Sequence, residues 1–307
     1  MSEPVVHRSA PPSRLPCSEL RIRPGSDGVS LAVAADAVGW RYLSFRTAAL
    51  ADGETAGAGA FGQEAVVVVI AGGGVLVDPG ATHRRLELPG RDSPFHALPW
   101  AAYLPAGTPA TVVGRPDGSA DDGRVVVAIA EAPRSGRPGA ADAPFVIGPD
   151  DVEIEVRGAG NATRQINKIV APESPADRLL VVEVLTPSGN WSSWPPHKHD
   201  IDDMPLEAVL EEVYYYRFER PQAWGLQRVY RPDRSRDCQF EVRTGECVIV
   251  TDGYHPFVAA HGDDAYYLNA LAGDRRTMAC SFDPDLDRVR EAWSRMAPDP
   301  RVPLVGR

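Results

Sequence analysis

His197-Lys198-His199 sets two imidazoles at i and i+2. In an extended chain, side chains alternate between faces, so both histidines point the same way and Lys198 points away. Glu212 opens a strand-like run, Val213-Tyr214-Tyr215-Tyr216, and His255 follows the turn-like Thr251-Asp252-Gly253-Tyr254. Three imidazoles and one carboxylate from three separated segments make a mononuclear transition-metal set that zinc, iron and manganese all accept. The H-x-H alone, beside Pro195-Pro196, is equally a loop accident. The set gains weight because four of the seven histidines lie between 197 and 261, inside one β-like region. His261, before the turn-like Gly262-Asp263-Asp264, is the spare histidine, and Glu207 and Glu211 are the weaker carboxylates. Asp200, Asp202 and Asp203 read as a solvated loop, or as acceptors for a ligand histidine's second N–H.

The elements that must position this set are β-strands. Apolar residues make up 43% of the 307, enough for a buried core, and 28 glycines and 29 prolines punctuate short runs rich in Val, Ile, Thr and aromatic residues. Such runs fall at 29–35, 40–48, 65–70, 75–78, 101–104 and 125–129, then at 152–156, 179–185, 213–218, 226–230, 239–242, 247–250, 265–270 and 278–282. The expected class is all-β, a sandwich or barrel. The stretch Pro133 to Pro144 is poor in apolar residues and reads as a linker. It divides the chain into a tail (1–16), a metal-free barrel (17–135), a linker (136–145) and a metal-binding barrel (146–307). Gln63 to Val68 sits in its half roughly as Glu211 to Tyr216 sits in the other, which suggests a duplicated barrel. After Phe282, Asp283 can cap a helix with Pro284 at its first position, and Leu286, Val289, Trp293 and Met296 at helical spacing read as a stripe packed on the core.

A net charge of −10 argues against nucleic-acid and anionic-membrane surfaces, which need a basic stripe. The N-terminus has no apolar signal segment, and no run approaches membrane-spanning length. Cys17, Cys238, Cys247 and Cys280 form no close pair and read as thiols in a reducing compartment, so the cytosol is expected.

Five runs carry a family resemblance: Asn190 to Asp200 (NWSSWPPHKHD), Leu210 to Arg217 (LEEVYYYR), Trp224 to Tyr230 (WGLQRVY), Asp252 to Pro256 (DGYHP) and Tyr266 to Gly273 (YYLNALAG). In this order they resemble the cupin 5-deoxy-glucuronate isomerases of myo-inositol catabolism, densely over 179–283 and more thinly before. The resemblance implies a bicupin, with one divalent metal, zinc first and manganese or iron next, on His197, His199, Glu212 and His255 of the second barrel. The twelve residues between His199 and Glu212 exceed the usual cupin spacing but are shared by relatives of this isomerase. The implied reaction converts 5-deoxy-D-glucuronate to 5-dehydro-2-deoxy-D-gluconate.

Such an aldose–ketose exchange needs a polarised carbonyl, a proton acceptor and a partner for the substrate carboxylate. The proton-carrier candidates are Tyr214, Tyr254 and Tyr266, followed by Asp264 and Glu211. Arg228, Arg217 and Lys168 are the candidates for the carboxylate, with Arg164 beside them. The expected partners are a small uronic acid and further copies of the chain. Rival readings are the uronate ketol-isomerases of pectin breakdown, an iron-dependent cupin dioxygenase and a non-catalytic sugar-binding cupin.

Overall fold

Gln63–Ala71 reads QEAVVVVIA and is buried almost from end to end, which requires cover on both faces of the strand. Ala65, Val67 and Val69 point into a barrel, and Val66, Val68 and Ile70 point out of it into a second buried cluster. The computed structural model describes residues 8–9, 15–120 and 122–306. Most of the tail expected over 1–16 and Asp121 lie outside the described residues. Among the described residues, no helix is long and apolar enough to cross a membrane.

Each half pairs a large antiparallel sheet with a four-stranded one. In the first half the large sheet runs Leu31–Val33, Ser44–Leu50, Val125–Pro133, Gln63–Ala71, Trp100–Leu104, Phe145–Ile147. In the second it runs Arg164–Val170, Leu180–Thr186, Ala265–Gly273, Leu210–Phe218, Cys247–Val250, Arg21–Ile22, with Glu153–Arg157 added outside the first of these. The small sheets match as well: Thr55–Ala58, Ala110–Pro116, Gly73–Asp78, Leu86–Arg91 against Trp191–Ser192, Phe257–Ala259, Gly225–Tyr230, Asp237–Val242. The order is the same strand for strand, so the loose repeat in the sequence corresponds to a duplicated architecture.

Edge strands are exchanged. Arg21–Ile22 pairs with Cys247 and Val248 of the second barrel, and Phe145–Ile147 pairs with Ala101 to Tyr103 of the first. The expected divisions at 16/17 and 145/146 therefore cut through this exchange: residues 17–22 belong with the second barrel and Phe145–Ile147 with the first. Cys17 is bonded to Cys238, with Cα atoms 5.5 Å apart, which ties the N-terminal segment to the second barrel. The reading of all four cysteines as thiols is corrected for this pair, and Cys247 and Cys280 remain free.

The two large sheets pack face to face. Glu64 accepts the backbone N–H groups of Asp177, Arg178 and Leu179, at the entry to Leu180–Thr186. Glu211 does the same for Arg41, Tyr42 and Leu43, at the entry to Ser44–Leu50. Each barrel thus grips the other with one carboxylate. The pair sets the repeat register one residue from the sequence alignment: Glu64 corresponds to Glu211, and Ala65 corresponds to Glu212. The first barrel has a methyl group where the second carries its inward carboxylate, and its interior is filled with Val67, Val69, Val127 and Ile129.

The C-terminal helix spans Asp287–Trp293 after a 3₁₀ turn, Pro284–Leu286, whose N-cap Asp283 accepts from the N–H of Asp285. None of its residues is buried, so its apolar stripe is not a core contact as expected. It lies instead over the mouth of the second barrel.

Candidate metal centre and its cavity

Three segments meet inside the second barrel. His197–Lys198 pairs with Ser281–Phe282, which holds the H-x-H strand over the mouth. Leu210–Phe218 runs through the middle of the large sheet, with Glu212, Tyr214 and Tyr216 facing inward and Glu211, Val213 and Tyr215 facing the first barrel. His255 follows Gly253, whose φ is +86° and whose added Cβ would lie 2.5 Å from the Tyr230 carbonyl oxygen, so only glycine fits there.

Ligand atoms of His197, His199 and His255 lie within 4.8 Å of one another. Glu212 Oε2 is 2.9 Å from His199 Nε2 and 3.3 Å from His255 Nε2. His199 Nδ1 is 3.0 Å from the Leu210 carbonyl oxygen, and His255 Nδ1 is 2.9 Å from that of Gly253. With Nδ1 turned outward to a carbonyl, each ring aims Nε2 inward: protonated, the His199 nitrogen donates to Glu212, and deprotonated, both rings offer a lone pair to a metal. His255 is fully buried, and its Nε2 meets only Glu212 Oε2, at 3.3 Å and without hydrogen-bond geometry, so it lacks a hydrogen-bond partner among the described residues. Such an orphan is costly unless a ligand completes it. A carboxylate among three imidazoles suits one divalent transition metal.

The electrostatics agree. Burial disfavours charge on His199, but the Glu212 hydrogen bond outweighs it and raises the pKa. Burial would raise Glu212, yet the His199 hydrogen bond and then the adjacent His255 ring bring it down to about 2. His197 is held well below its ordinary value by burial and then by its imidazole neighbours. The cluster holds a carboxylate anion that favours positive charge beside it, on His199 in this structure.

Outer partners brace it. Lys198, facing away from the histidines, donates to Asp200 and to both oxygens of Glu207, at 2.7–2.9 Å. Asp200 Oδ2 accepts from Gly253 N–H at 2.8 Å, which ties the H-x-H strand to the turn before His255. Glu207 is consumed by Lys198, two backbone N–H groups and Ser281, so it is no rival ligand. Asp200 is thus an outer brace, whereas Asp202 pairs with Arg275 at the surface. His261 is exposed and lies outside the cluster.

A cavity of about 310 Å³ opens beside the set. His197, His199 and Glu212 form part of its wall, with Arg157, Arg164, Arg290, Trp194, Cys280, Phe282, Trp293 and three aliphatic residues around the rest. Burial pushes the Cys280 thiol up to about 11, so it is not a thiolate.

The structure separates the remaining candidates. Tyr266 lies on the outer face of its strand, beside Arg91 and Phe95 between the barrels, while its neighbour Tyr267 faces inward and packs at a tilt against Tyr214. Tyr254 packs on Tyr230, away from the cavity wall. Tyr214 is inside the barrel, its ring centroid 5.9 Å from that of His255, but it does not line the cavity, and its hydroxyl is 2.9 Å from Ser193 Oγ. Burial, then the Glu212 charge, raises its pKa well above the usual value, so it stays protonated. Tyr214→Phe should therefore keep kcat within about tenfold of wild type, because only one buried hydrogen bond is lost. A fall of 10²–10⁴-fold in steady-state kinetics would reinstate it as the proton carrier.

The carboxylate candidates also move. Arg228 points outward from its strand and pairs with Asp237. Arg217 shares the outer face with Tyr215. Lys168 pairs with Glu153 and Glu155. Asp264 accepts from Ser188 N–H and Glu211 grips the first barrel, so neither lines the cavity. Of the arginines weighed from the sequence, Arg164 alone is on the wall. Sequence reading missed Arg157, Arg290 and Trp293. It also missed Gln227, which bridges Tyr216 Oη and the His255 carbonyl at 2.6 and 2.7 Å. Gln227 stood in the WGLQRVY run, and strand alternation turns it inward wherever Arg228 turns outward.

The chain is 39% identical over 270 residues to the 5-deoxy-glucuronate isomerase of Geobacillus kaustophilus, covering 88% of this chain and 93% of that one. It is 36% identical over 262 residues to that of Halalkalibacterium halodurans, covering 84% and 93%. The crystal structure of an IolB-like protein from Salmonella typhimurium superposes with a TM-score of 0.79 at 33% identity, over 88% of this chain and 99% of that one. An oxalate decarboxylase from Lactobacillus farciminis, 12% identical with a TM-score of 0.56 over 86% and 88%, shares the fold. The KduI/IolB family profile matches residues 20–289, and the chain belongs to that family.

Proposed function

We propose that the chain is an aldose–ketose isomerase that converts 5-deoxy-D-glucuronate to 5-dehydro-2-deoxy-D-gluconate. The observation that carries this reading is a three-histidine, one-glutamate set opening onto an arginine-bearing cavity. Relatives named 5-deoxy-glucuronate isomerase, 36–39% identical over most of the chain, support the choice of substrate.

One divalent metal ion, zinc first by its donor set, would be held by His197, His199, Glu212 and His255 and would polarise the substrate carbonyl as a Lewis acid. The chain's own residues do the rest. Trp194, Leu271, Met278 and Phe282 line the cavity with apolar surface and limit water around the reacting carbons. Glu212 is the only carboxylate on the wall among the described residues, so it is the group positioned to take a proton from the carbon bearing the hydroxyl and return it to the former aldehyde carbon, while the hydroxyl proton passes to the former carbonyl oxygen. Glu212 is also committed to the metal set and is a weak base at about 2, which favours a second route, direct hydride transfer between the two carbons with the hydroxyl proton passing to the carbonyl oxygen.

Proton NMR of 5-deoxy-glucuronate with the purified metal-loaded protein in heavy water tests both. The aldehyde or its hydrate should give way to a ketone with a neighbouring hydroxymethyl group. Deuterium in that group supports proton transfer, and retained protium supports hydride transfer. Substrate untouched by metal-loaded protein, with turnover of the pectin-derived uronate or oxygen uptake instead, would overturn the assignment.

A further inference from the structure

Arg164 is buried on the inner face of the second barrel, directly across the strand pair from Arg157. Its hydrogen bonds are to backbone only: Nη1 donates to the carbonyl oxygens of Ala162 at 3.1 Å and Trp194 at 3.3 Å. Among the described residues, no carboxylate comes within ion-pair distance of it. Arg157, by contrast, is held by both oxygens of Glu155, at 2.6 and 3.0 Å. The equally buried Arg91 has a full carboxylate partner in Glu183. Burying a guanidinium without a counter-charge is costly, so the missing anion is expected from a ligand. Burial pushes Arg164 down to about 10, which still leaves it fully cationic at neutral pH.

Arg290 approaches the same cavity from the Asp287–Trp293 helix. Its guanidinium stacks 4.0 Å over the ring of Phe282, the residue paired with His197. No carboxylate partner holds it among the described residues.

We propose that Arg164 is the anchor for the substrate's carboxylate, with Arg290 reaching over the mouth as a second, outer contact. The ligand class is a sugar-sized monocarboxylic acid whose far end carries the carbonyl and neighbouring hydroxyl. A planar guanidinium in a dry wall pairs with a carboxylate through two parallel hydrogen bonds, which Lys cannot reproduce. A cavity of about 310 Å³ is at the small end for ligand sites, as such an acid requires. The inference rests on the isomerase reading and adds which end of the substrate lies where.

The test compares 5-deoxy-glucuronate with 5-deoxy-glucose, the same chain ending in hydroxymethyl instead of carboxylate. Wild type, Arg164→Met, Arg164→Lys and Arg290→Met are measured with both, alongside metal content by elemental analysis. Arg164→Met should raise KM for the acid about 10–100-fold, as expected for losing hydrogen bonds to a charged group. It should change kcat/KM for the neutral sugar no more than about threefold, keep full metal content and so erase most of the preference for the acid. Arg164→Lys should recover part of that preference, and Arg290→Met should lose less than Arg164→Met. Equal losses on both substrates, or loss of metal, would overturn the proposal by showing a structural role. If wild type isomerises neither compound, the isomerase reading falls instead. Calorimetric binding of D-glucuronate then decides the anchor: it stands if wild type binds and Arg164→Met does not, and it fails if both bind alike.

Discussion

Glu212→Gln and His255→Ala should each purify with little metal and bind added zinc at least about 10²-fold more weakly than wild type, beyond the 10–100-fold typical of residues that only brace a ligand. Glu212 contributes the only negative charge in the set. His255 contributes a fully buried nitrogen that lacks a hydrogen-bond partner among the described residues and has Glu212 as its neighbour at 3.3 Å. Isomerase activity should fall with metal occupancy, and chelator treatment of wild type should mimic the variants until metal is restored. The control is Glu211→Gln. Glu211 is next in sequence but on the opposite face, where it holds the N–H groups of Arg41, Tyr42 and Leu43. That variant should keep its metal and lose stability instead. Elemental analysis and competition with a chromogenic chelator read all three. Metal lost from Glu211→Gln and kept by Glu212→Gln would mean the strand faces are assigned the wrong way round.

The second large effect lies between the barrels. Arg91 Nη1 and Nη2 donate to the two oxygens of Glu183 at 3.0 and 2.7 Å, and neither side chain has any solvent exposure. Arg91 also donates to the carbonyl oxygens of Ile70 and Ala97, and Glu183 accepts from Asn167. Burial alone would lower the Arg91 pKa, yet the Glu183 charge more than offsets it. Glu183→Gln leaves a guanidinium without a counter-charge in a dry interface and should cost about 3–5 kcal/mol. The double variant Arg91→Met/Glu183→Met should lie closer to wild type than either single change, because no orphaned charge remains. Chemical denaturation followed by both far-ultraviolet dichroism and tyrosine fluorescence gives the comparison. Coincident transitions are needed before midpoints are converted to free energies. A loss below about 1 kcal/mol for Glu183→Gln would show that water reaches the pair.

The gathering of three histidines and a carboxylate was legible in the sequence because it depends on local rules. H-x-H on an extended chain puts both rings on one side whatever surrounds it, and a carboxylate opening an aromatic strand and a histidine after a Gly turn are equally local signals. The all-β architecture, the duplication and the family resemblance were legible for the same reason: alternation, turn residues and short motifs recur at close range. The register of the repeat was not, since Glu64-Ala65 and Glu211-Glu212 differ by one residue and only the grip on the opposite barrel shows which pair corresponds.

What only the tertiary structure decided is which face of each element looks inward and which distant segments share a wall. Tyr266 and Tyr267 are adjacent and equally aromatic, but the docking of the two large sheets sends Tyr266 to the interface and Tyr267 to the barrel interior. Arg228 was attractive because it stood in a shared run, whereas the inward residue there is Gln227. The C-terminal stripe looked like core packing because periodicity reports an amphipathic helix without saying what its apolar side meets. Arg157, Arg164 and Arg290 come from one hairpin and a helix more than a hundred residues apart, and only the folded barrel sets them around the same cavity. The sequence by itself determined the grouping of the histidines and the strands that carry them, because both follow from local geometry, while the choice of Glu212 over Glu211 waited for the fold. The burial of Arg164 without a carboxylate partner is a property of the whole fold, because desolvation depends on every element packed around the group.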